Sequence, residues 1–529
     1  MSAGRSGKSL LNNQNSQNVL PNWLERSALN HPHRLAVTDS RVSWTFAELD
    51  LRVTRLAHQL YVAGLREGDH AALLAGNGLP YCCCVHALTR LGAVLVPLNT
   101  RLAVSELTWQ LGDSHSTLLI HDEEHATTAE ALGTQLPGLR YFALERETSV
   151  VSGTIPEAAG LSDRIELGER SIGILRREID LAATQAIIYT SGTTGQPKGV
   201  LVTYGMHWWS AIGSLLNMGQ NADDCWLACL PFFHIGGLSI LMRSVIYGMR
   251  VYVQERFDAA AINELLLHEQ ISIISVVAVM LGRMLSSLDS QSEAGRYPPT
   301  LRCVLLGGGP APRHLLEDCA RRDIPVMQTY GMTESCSQAA TLAPEDALPK
   351  LGSAGRPLVS LQMQIMLDGR VLPAGEPGEI MLRGPTITPG YAGLPEATAA
   401  AFQDGWFATG DFGYLDEQGY LYVLDRRRDL IISGGENVYP AEVEAALLEH
   451  PAVLEAGVCG IPNETWGQVP VAFVVLREGV STPAEGDLLE SIATRLARYK
   501  LPQRIHFTGQ LPRTISGKLL RRELTSLLP

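Results

Sequence analysis

Apolar positions along this 529-residue chain switch repeatedly between two periods, and that switching predicts its architecture. Thr45-Phe-Ala-Glu48 is a capping box, in which hydroxyl and carboxylate each satisfy a backbone N–H of the other. It opens a helix whose apolar positions Phe46, Leu49, Val53, Leu56 and Leu60 fall on one face. An apolar strand over 71–75 follows, then a helix holding Cys82, Cys83 and Cys84, a strand over 93–97, a helix over 105–111 and a strand over 117–120. Further apolar strands are predicted over 185–189, 226–230, 250–253, 271–277, 301–306 and 326–328. Short, uniformly apolar strands alternating with amphipathic helices predict parallel sheet covered by helices, an α/β fold.

The texture changes after about residue 352. Gly and Pro become dense and short strands alternate, which predicts a β-rich subdomain over about 352–425. Asp425-Arg-Arg-Arg-Asp429 lies between two strand-like pieces and reads either as a solvated turn or as a linker. Beyond it, a helix over 440–450, strands over 453–458 and 469–475 and a helix over 484–498 make a small unit of their own, 428–529. Residues 1–18 are rich in Ser, Asn and Gln and lack an apolar stretch, so they predict a flexible polar tail and no signal peptide. The large N-terminal unit is placed at 19–427.

Composition narrows the functional classes. A hydrophobic share of 46% with 18% charged residues describes a globular protein. The net charge of −13 argues against a nucleic-acid partner, which needs a basic face. Nine cysteines without CxxC or zinc spacing fit a reducing cytoplasm. The longest apolar run, 271–281, is broken by serines and too short to span a bilayer, so no integral membrane segment is expected. The sequence leaves a homo-oligomer open.

Only five of the 42 basic residues are lysine: Lys8, Lys198, Lys350, Lys500 and Lys518. A lysine kept against an arginine background points to a compact charge on a flexible stem. Lys198 and Lys518 sit in glycine-rich settings and Lys500 stands shortly before the second, which suggests phosphate chemistry for these lysines. Thr190, Ser191, Gly192, Thr193, Thr194 and Gly195 lead to Lys198 after an apolar strand, and such a loop can turn backbone N–H groups and hydroxyls toward phosphate oxygens. It is not a Walker A loop, because Gly195 is followed by Gln-Pro-Lys-Gly. His121-Asp-Glu-Glu-His125 has metal-ligand residue types without a known spacing and reads as a solvated turn.

Tyr189-Thr-Ser-Gly-Thr-Thr-Gly-Gln-Pro-Lys-Gly199 resembles the signature of the adenylate-forming enzymes, among them acyl-CoA synthetases, peptide-synthetase adenylation domains and luciferases. Tyr330-Gly-Met-Thr-Glu334, Gly405-Trp-Phe-Ala-Thr-Gly-Asp411, Asp425-Arg-Arg-Arg-Asp429, Ser433-Gly-Gly-Glu-Asn-Val-Tyr-Pro440 and Pro512-Arg-Thr-Ile-Ser-Gly-Lys518 follow in the family's order, covering the chain from about residue 20 to the end. The resemblance implies a large N-terminal domain of layered mixed sheets with helices and a small mobile α+β lid. It implies ATP, Mg²⁺ and coenzyme A as co-substrates and cofactor, and a small carboxylate as partner.

Residue by residue, it places the ATP phosphates on Thr190 to Lys198 and Mg²⁺ on Glu334. Adenine falls against Gly307, Gly308, Gly309 and Tyr330, with Gly331 and Thr333 in the same nucleotide motif. The ribose goes to Asp411 supported by Arg426. Lys518 is the catalytic cation of adenylation, Arg428 the hinge, and Gly434 and Gly435 the strand-turn beside pantetheine. The segments 207–214, 231–250 and 337–342 resemble the branch acting on 2-succinylbenzoate in menaquinone synthesis. His234 then lies beside the acyl carboxylate. Arg243 is either the partner of a second carboxylate or a helix-surface residue, with Ser337 and Ser239 as further substrate candidates. Another aryl- or fatty-acyl-CoA synthetase, a carrier-loading enzyme and a non-catalytic adenylate sensor are the competing readings.

Overall fold

A computed structural model describes residues 18–145, 175–190, 196–291, 295–309, 311, 313–425, 431–438, 440–512, 519 and 521–528. Ser191, Gly192, Thr193, Thr194, Gly195, Arg426, Arg428 and Lys518 lie outside these residues.

Two sheets carry the N-terminal unit. The larger has nine strands, and its centre is a parallel run of Val326–Tyr330, Cys303–Gly307, Ile273–Val277, Cys225–Ala228, Arg250–Val253 and Leu35–Thr38. The smaller has six strands, with Val94–Pro97, His70–Leu74, Leu118–His121 and Arg140–Ala143 parallel. Central strands such as Cys225–Ala228 and Val94–Pro97 are buried at every position, as strands covered on both faces must be. The predicted capping box forms: Thr45 N donates to Glu48 Oε2 at 2.7 Å, and Phe46–Val62 is helical. Helix Leu79–Leu91 is buried at every position but Pro80, with Cys82, Cys83 and Cys84 among mostly apolar residues and Arg90 ion-paired at its end. It packs in one core with residues of both sheets. The outer faces are covered separately, by helices Ala259–His268 and Ala278–Gln291 on the larger sheet and by Val104–Asp113 and Ala126–Gln135 on the smaller. Strand Ile273–Val277 runs directly into helix Ala278–Gln291.

The β-rich part is an antiparallel sheet built on Gln362–Leu367, Gly378–Arg383, Trp406–Leu415 and Leu421–Asp425. Its strand Trp406–Leu415 alternates buried and exposed residues, the pattern of a sheet with one face on a core. The C-terminal unit has its own sheet and core. Hairpin Ile431–Ser433 and Glu436–Val438 precedes helix Pro440–Leu448, and strands Val453–Asn463 and Gly467–Leu476 pair along nearly their whole length. These two strands are longer than the predicted pair because residues 459–463 and 467–468 continue the ladder past the apolar runs. Among the described residues no helix is long and apolar enough to cross a membrane.

Candidate active site

A cavity of about 980 Å³ opens at the carboxyl ends of the parallel strands, where open α/β sheets place their ligands. Its wall draws on Thr190, His234, Arg243, Gly307, Gly308, Gly331, Thr333, Glu334, Ser337 and Asp411 from the N-terminal unit, and on Gly434 and Gly435 from the C-terminal unit. Residues up to 245 positions apart, from Thr190 to Gly435, are thereby brought to one place.

The acidic side chains are held from behind. Tyr330 donates from its hydroxyl to Asp411 Oδ2 at 2.7 Å, and Thr409 Oγ1 accepts from Asp411 N at 3.0 Å. Glu334 sits in the 3₁₀ turn Thr333–Ser335 and accepts from Tyr391 Oη at 3.2 Å. The chain leaves that turn through Cys336 and Ser337, both at positive φ (55° and 86°), which brings Ser337 to the cavity wall. Lys198 stands with Nζ 5.0 Å from the centroid of the Tyr391 ring. Tyr391 therefore links Lys198 to Glu334, a role that no motif announced. A single buried carboxylate suits Mg²⁺, which takes one or two carboxylates and completes its shell with phosphate oxygens and water. No cluster of three metal-ligand side chains competes with it among the described residues.

The acyl end is built around helix Ile235–Tyr247. His234 caps its start, and Gly237 lies so close to the Pro231 carbonyl that a Cβ would collide. Two turns on, Arg243 is 2% exposed and lines the cavity. Its Nη2 donates to Ser210 Oγ at 3.1 Å, its Nε has no partner, and the Trp226 ring centroid lies 5.6 Å from Cζ. The remaining polar neighbours are neutral. Burial, with Arg243 beside it, pushes His207 down to about 3. Burial raises the Cys336 thiol to about 12 against the pull of Arg243. Burial also pulls Arg243 itself below its ordinary value. No carboxylate pairs with Arg243 among the described residues. The helix-surface alternative for Arg243 is excluded.

Several expectations are corrected. Ser239 is buried away from the cavity, with its hydroxyl turned back to the Gly236 carbonyl at 3.2 Å. Gly309 faces the C-terminal hairpin, where a Cβ would stand 3.4 Å from Ile432 Cδ1. Tyr330 reaches the wall through Asp411, and Lys198 stands against Tyr391. Lys500 is buried in ion pairs with Glu106 and Glu442, not set in a phosphate loop. The segment 121–125 is no simple solvated turn: Asp122 accepts from Gly76 N at 2.9 Å and pairs with His125 at 2.5 Å, and Glu124 and His125 reach the cavity.

Glu436 was missed altogether. Gly434 and Gly435 form the hairpin tip at φ +59° and +87°, the left-handed pair that a two-residue turn requires. The tip carries the next residue, Glu436, onto His234: Glu436 Oε2 lies 3.1 Å from His234 Nε2, and Arg101 Nη1 donates to Oε1 at 2.6 Å. Burial works against the Glu436 charge, but His234, Arg101 and Lys500 outweigh it and hold the carboxyl below its ordinary range. Its setting in Gly-Gly-Glu-Asn was the available signal; the partner's identity was not.

Known proteins share this arrangement. The AMP-binding enzyme family matches residues 24–392, and the AMP-binding enzyme C-terminal domain matches residues 442–518. A 2-succinylbenzoate–CoA ligase of Geobacillus kaustophilus (strain HTA426) is 53% identical, over 97% of this chain and 98% of its own. The o-succinylbenzoate CoA synthetase of Bacillus subtilis, as a double mutant bound with its product analogue OSB-NCoA, matches with a TM-score of 0.85 at 43% identity, covering 96% of this chain and 98% of that one. The same enzyme in complex with the acyl-adenylate intermediate OSB-AMP matches with a TM-score of 0.70 at equal identity and coverage. Overall the structure is thus nearer to the product-analogue complex than to the acyl-adenylate complex. With a family match over most of its length and a relative alike along nearly all of it, the chain belongs to the AMP-binding enzyme family.

Proposed function

We infer that this chain is an AMP-forming acid–thiol ligase that joins 2-succinylbenzoate to coenzyme A in menaquinone biosynthesis. In the first half-reaction a carboxylate oxygen attacks the α-phosphorus of ATP, the bond to pyrophosphate breaks, and an acyl-adenylate forms. In the second, the CoA sulfur attacks the acyl carbonyl and AMP leaves with the bonding pair. The mixed anhydride makes a good leaving group out of a poor one.

The shared cavity supports the assignment of roles. Thr190, with the glycine-rich loop after it and Lys198, takes the phosphates. Gly307, Gly308 and Gly331 take the base, and Asp411, steadied by Tyr330, takes the ribose hydroxyls. Glu334 would hold Mg²⁺, which when bound would offset the charge of the phosphates. Lys518 supplies the cation of the adenylation step. Units 19–427 and 428–529 alternate between two placements, and the present one seats Gly434 and Gly435 in the wall for CoA. All nine cysteines are free and buried, which supports a cytoplasmic location.

Arg243 carries the choice of acid. A guanidinium buried with only neutral partners is costly unless an anion joins it. 2-Succinylbenzoate brings a second carboxylate that stays unreacted, and Arg243 lines the same cavity as His234, two helical turns along. The test is CoA-dependent AMP release over a panel of acids. We expect 2-succinylbenzoate to exceed benzoate and long-chain fatty acids in kcat/KM, and efficient turnover of plain benzoate would sink the assignment.

A further inference from the structure

A buried ammonium joins the two units away from the reacting atoms. Lys500 is 4% exposed and ends the 3₁₀ turn Arg498–Lys500. Its Nζ donates to Glu442 Oε1 at 2.7 Å within its own unit and to Glu106 Oε1 at 2.7 Å across the seam. Glu106 is prepared for this contact. Its other oxygen, Oε2, accepts from Ala103 N at 2.9 Å and closes the first turn of helix Val104–Asp113. Glu442 lies in the first turn of helix Pro440–Leu448, directly after the hairpin that carries Gly434, Gly435 and Glu436. The ammonium therefore ties the base of that hairpin to the N-terminal unit.

Four links across the seam fall in one short stretch, residues 99–106, while His234 to Glu436 and Arg283 to the Thr465 carbonyl lie elsewhere. Asn99 Nδ2 donates to Tyr499 Oη at 3.3 Å, Arg101 to Glu436 at 2.6 Å, and Ser105 Oγ to the Thr494 carbonyl at 3.1 Å. Three of these four links are exposed, or partly so, on at least one side. Lys500 to Glu106 is the one with both side chains nearly out of water, at 5% and 12% exposure. Burial alone would push the Lys500 ammonium toward neutrality, but Glu442 and Glu106 hold it above its ordinary value. A charge pair shielded in this way keeps its strength, whereas an exposed one is screened to little.

We propose that Lys500, with Glu106 as its receptor, is a positioning residue that selects the placement in which the hairpin tip enters the cavity for thioester formation. This rests on the two-step reading above. The latch acts on the equilibrium between placements and not on either chemical step. Adenylation requires the hairpin to withdraw, and the Lys500–Glu106 contact opens with it.

The two half-reactions are measured apart on the full chain: 2-succinylbenzoate-dependent ATP–pyrophosphate exchange, and CoA-dependent AMP release from supplied acyl-adenylate. In Glu106→Gln, where the C-terminal unit is untouched and the cap to Ala103 is kept, thioester formation falls about tenfold while exchange stays within about twofold. Lys500→Met behaves alike, and Lys500→Arg recovers part of the rate. If Lys500→Met fails to fold, Glu106→Gln alone decides. Unchanged thioester formation in Glu106→Gln, or equal loss in both half-reactions, overturns the latch. Wild-type protein lacking either half-reaction overturns the two-step reading instead.

Discussion

Two cations are buried in this molecule to nearly the same depth, Arg243 at 2% exposure and Lys500 at 4%, in opposite surroundings. Lys500 meets two carboxylates, one from each unit. Arg243 meets a hydroxyl, an aromatic face and a neutral imidazole, and it lines a cavity. A chain that must hold itself together supplies its own counter-charge, because a buried ion without one costs several kcal/mol. A chain that leaves the counter-charge out has left room for it to arrive with a ligand. The comparison also explains why lysine serves at one place and arginine at the other. An ammonium fits between two single carboxylate oxygens, whereas a planar fork presents paired donors to one incoming carboxylate.

The largest expected effect concerns a third cation, Lys518. Lys518→Ala should lower adenylation by about 10²–10³-fold and spare thioester formation from supplied acyl-adenylate, since a positioned charge is lost from one transition state only. Equal losses in the two assays would remove the division of labour between placements. Arg243→Ala follows. Its kcat/KM for 2-succinylbenzoate should fall about 10²-fold while that for benzoate hardly moves. A parallel fall for both acids would make Arg243 structural and dissolve the contrast with Lys500.

Stability sharpens the same contrast through its sign. Arg243→Met removes a buried charge that lacks a counter-ion, so the ligand-free protein should gain about 1–3 kcal/mol in denaturant unfolding. Lys500→Met strands two carboxylates and should lose about 3 kcal/mol. Shifts of one sign for both would show that their surroundings differ less than the geometry implies. Gly434→Ala is milder: a side chain at φ +59° against the Trp466 ring, 2.7 Å from Cε3, should cost about 1 kcal/mol and slow the thioester step alone. The smallest effect is a pH slope. The Glu436 carboxyl is held below its ordinary value of 4.5, so its contribution to stability is present above about pH 4.5 and is lost as pH falls through its folded value. The stability gap between wild type and Glu436→Gln should therefore close on acidification below pH 4.5, as read from unfolding curves at stepped pH.

Legibility in the sequence divides along a physical line. Local devices were readable: the Thr45–Glu48 box, the apolar strands, and the helix that takes up Cys82, Cys83 and Cys84 between two sheets. Motif residues such as Glu334, Asp411 and Gly434 were readable as members of one site only through the resemblance of their motifs to the family's, and all three line the cavity. Ser239 was misassigned because spacing on a helix does not say whether a hydroxyl faces a cavity or its own backbone. The segment 121–125 was misread because Asp122 is claimed by Gly76, a residue 46 positions away.

What the sequence determined by itself was therefore the set of elements, the chemistry carried by each motif and the family they compose, since these rest on contacts within a few residues. Only the tertiary structure decided what Arg243, Glu436 and Lys500 do. Glu436 meets His234 across 202 positions, and Lys500 meets Glu106 across 394. The strength of a charge depends on what shares its burial, and no residue's neighbours in sequence record which distant groups will be folded against it.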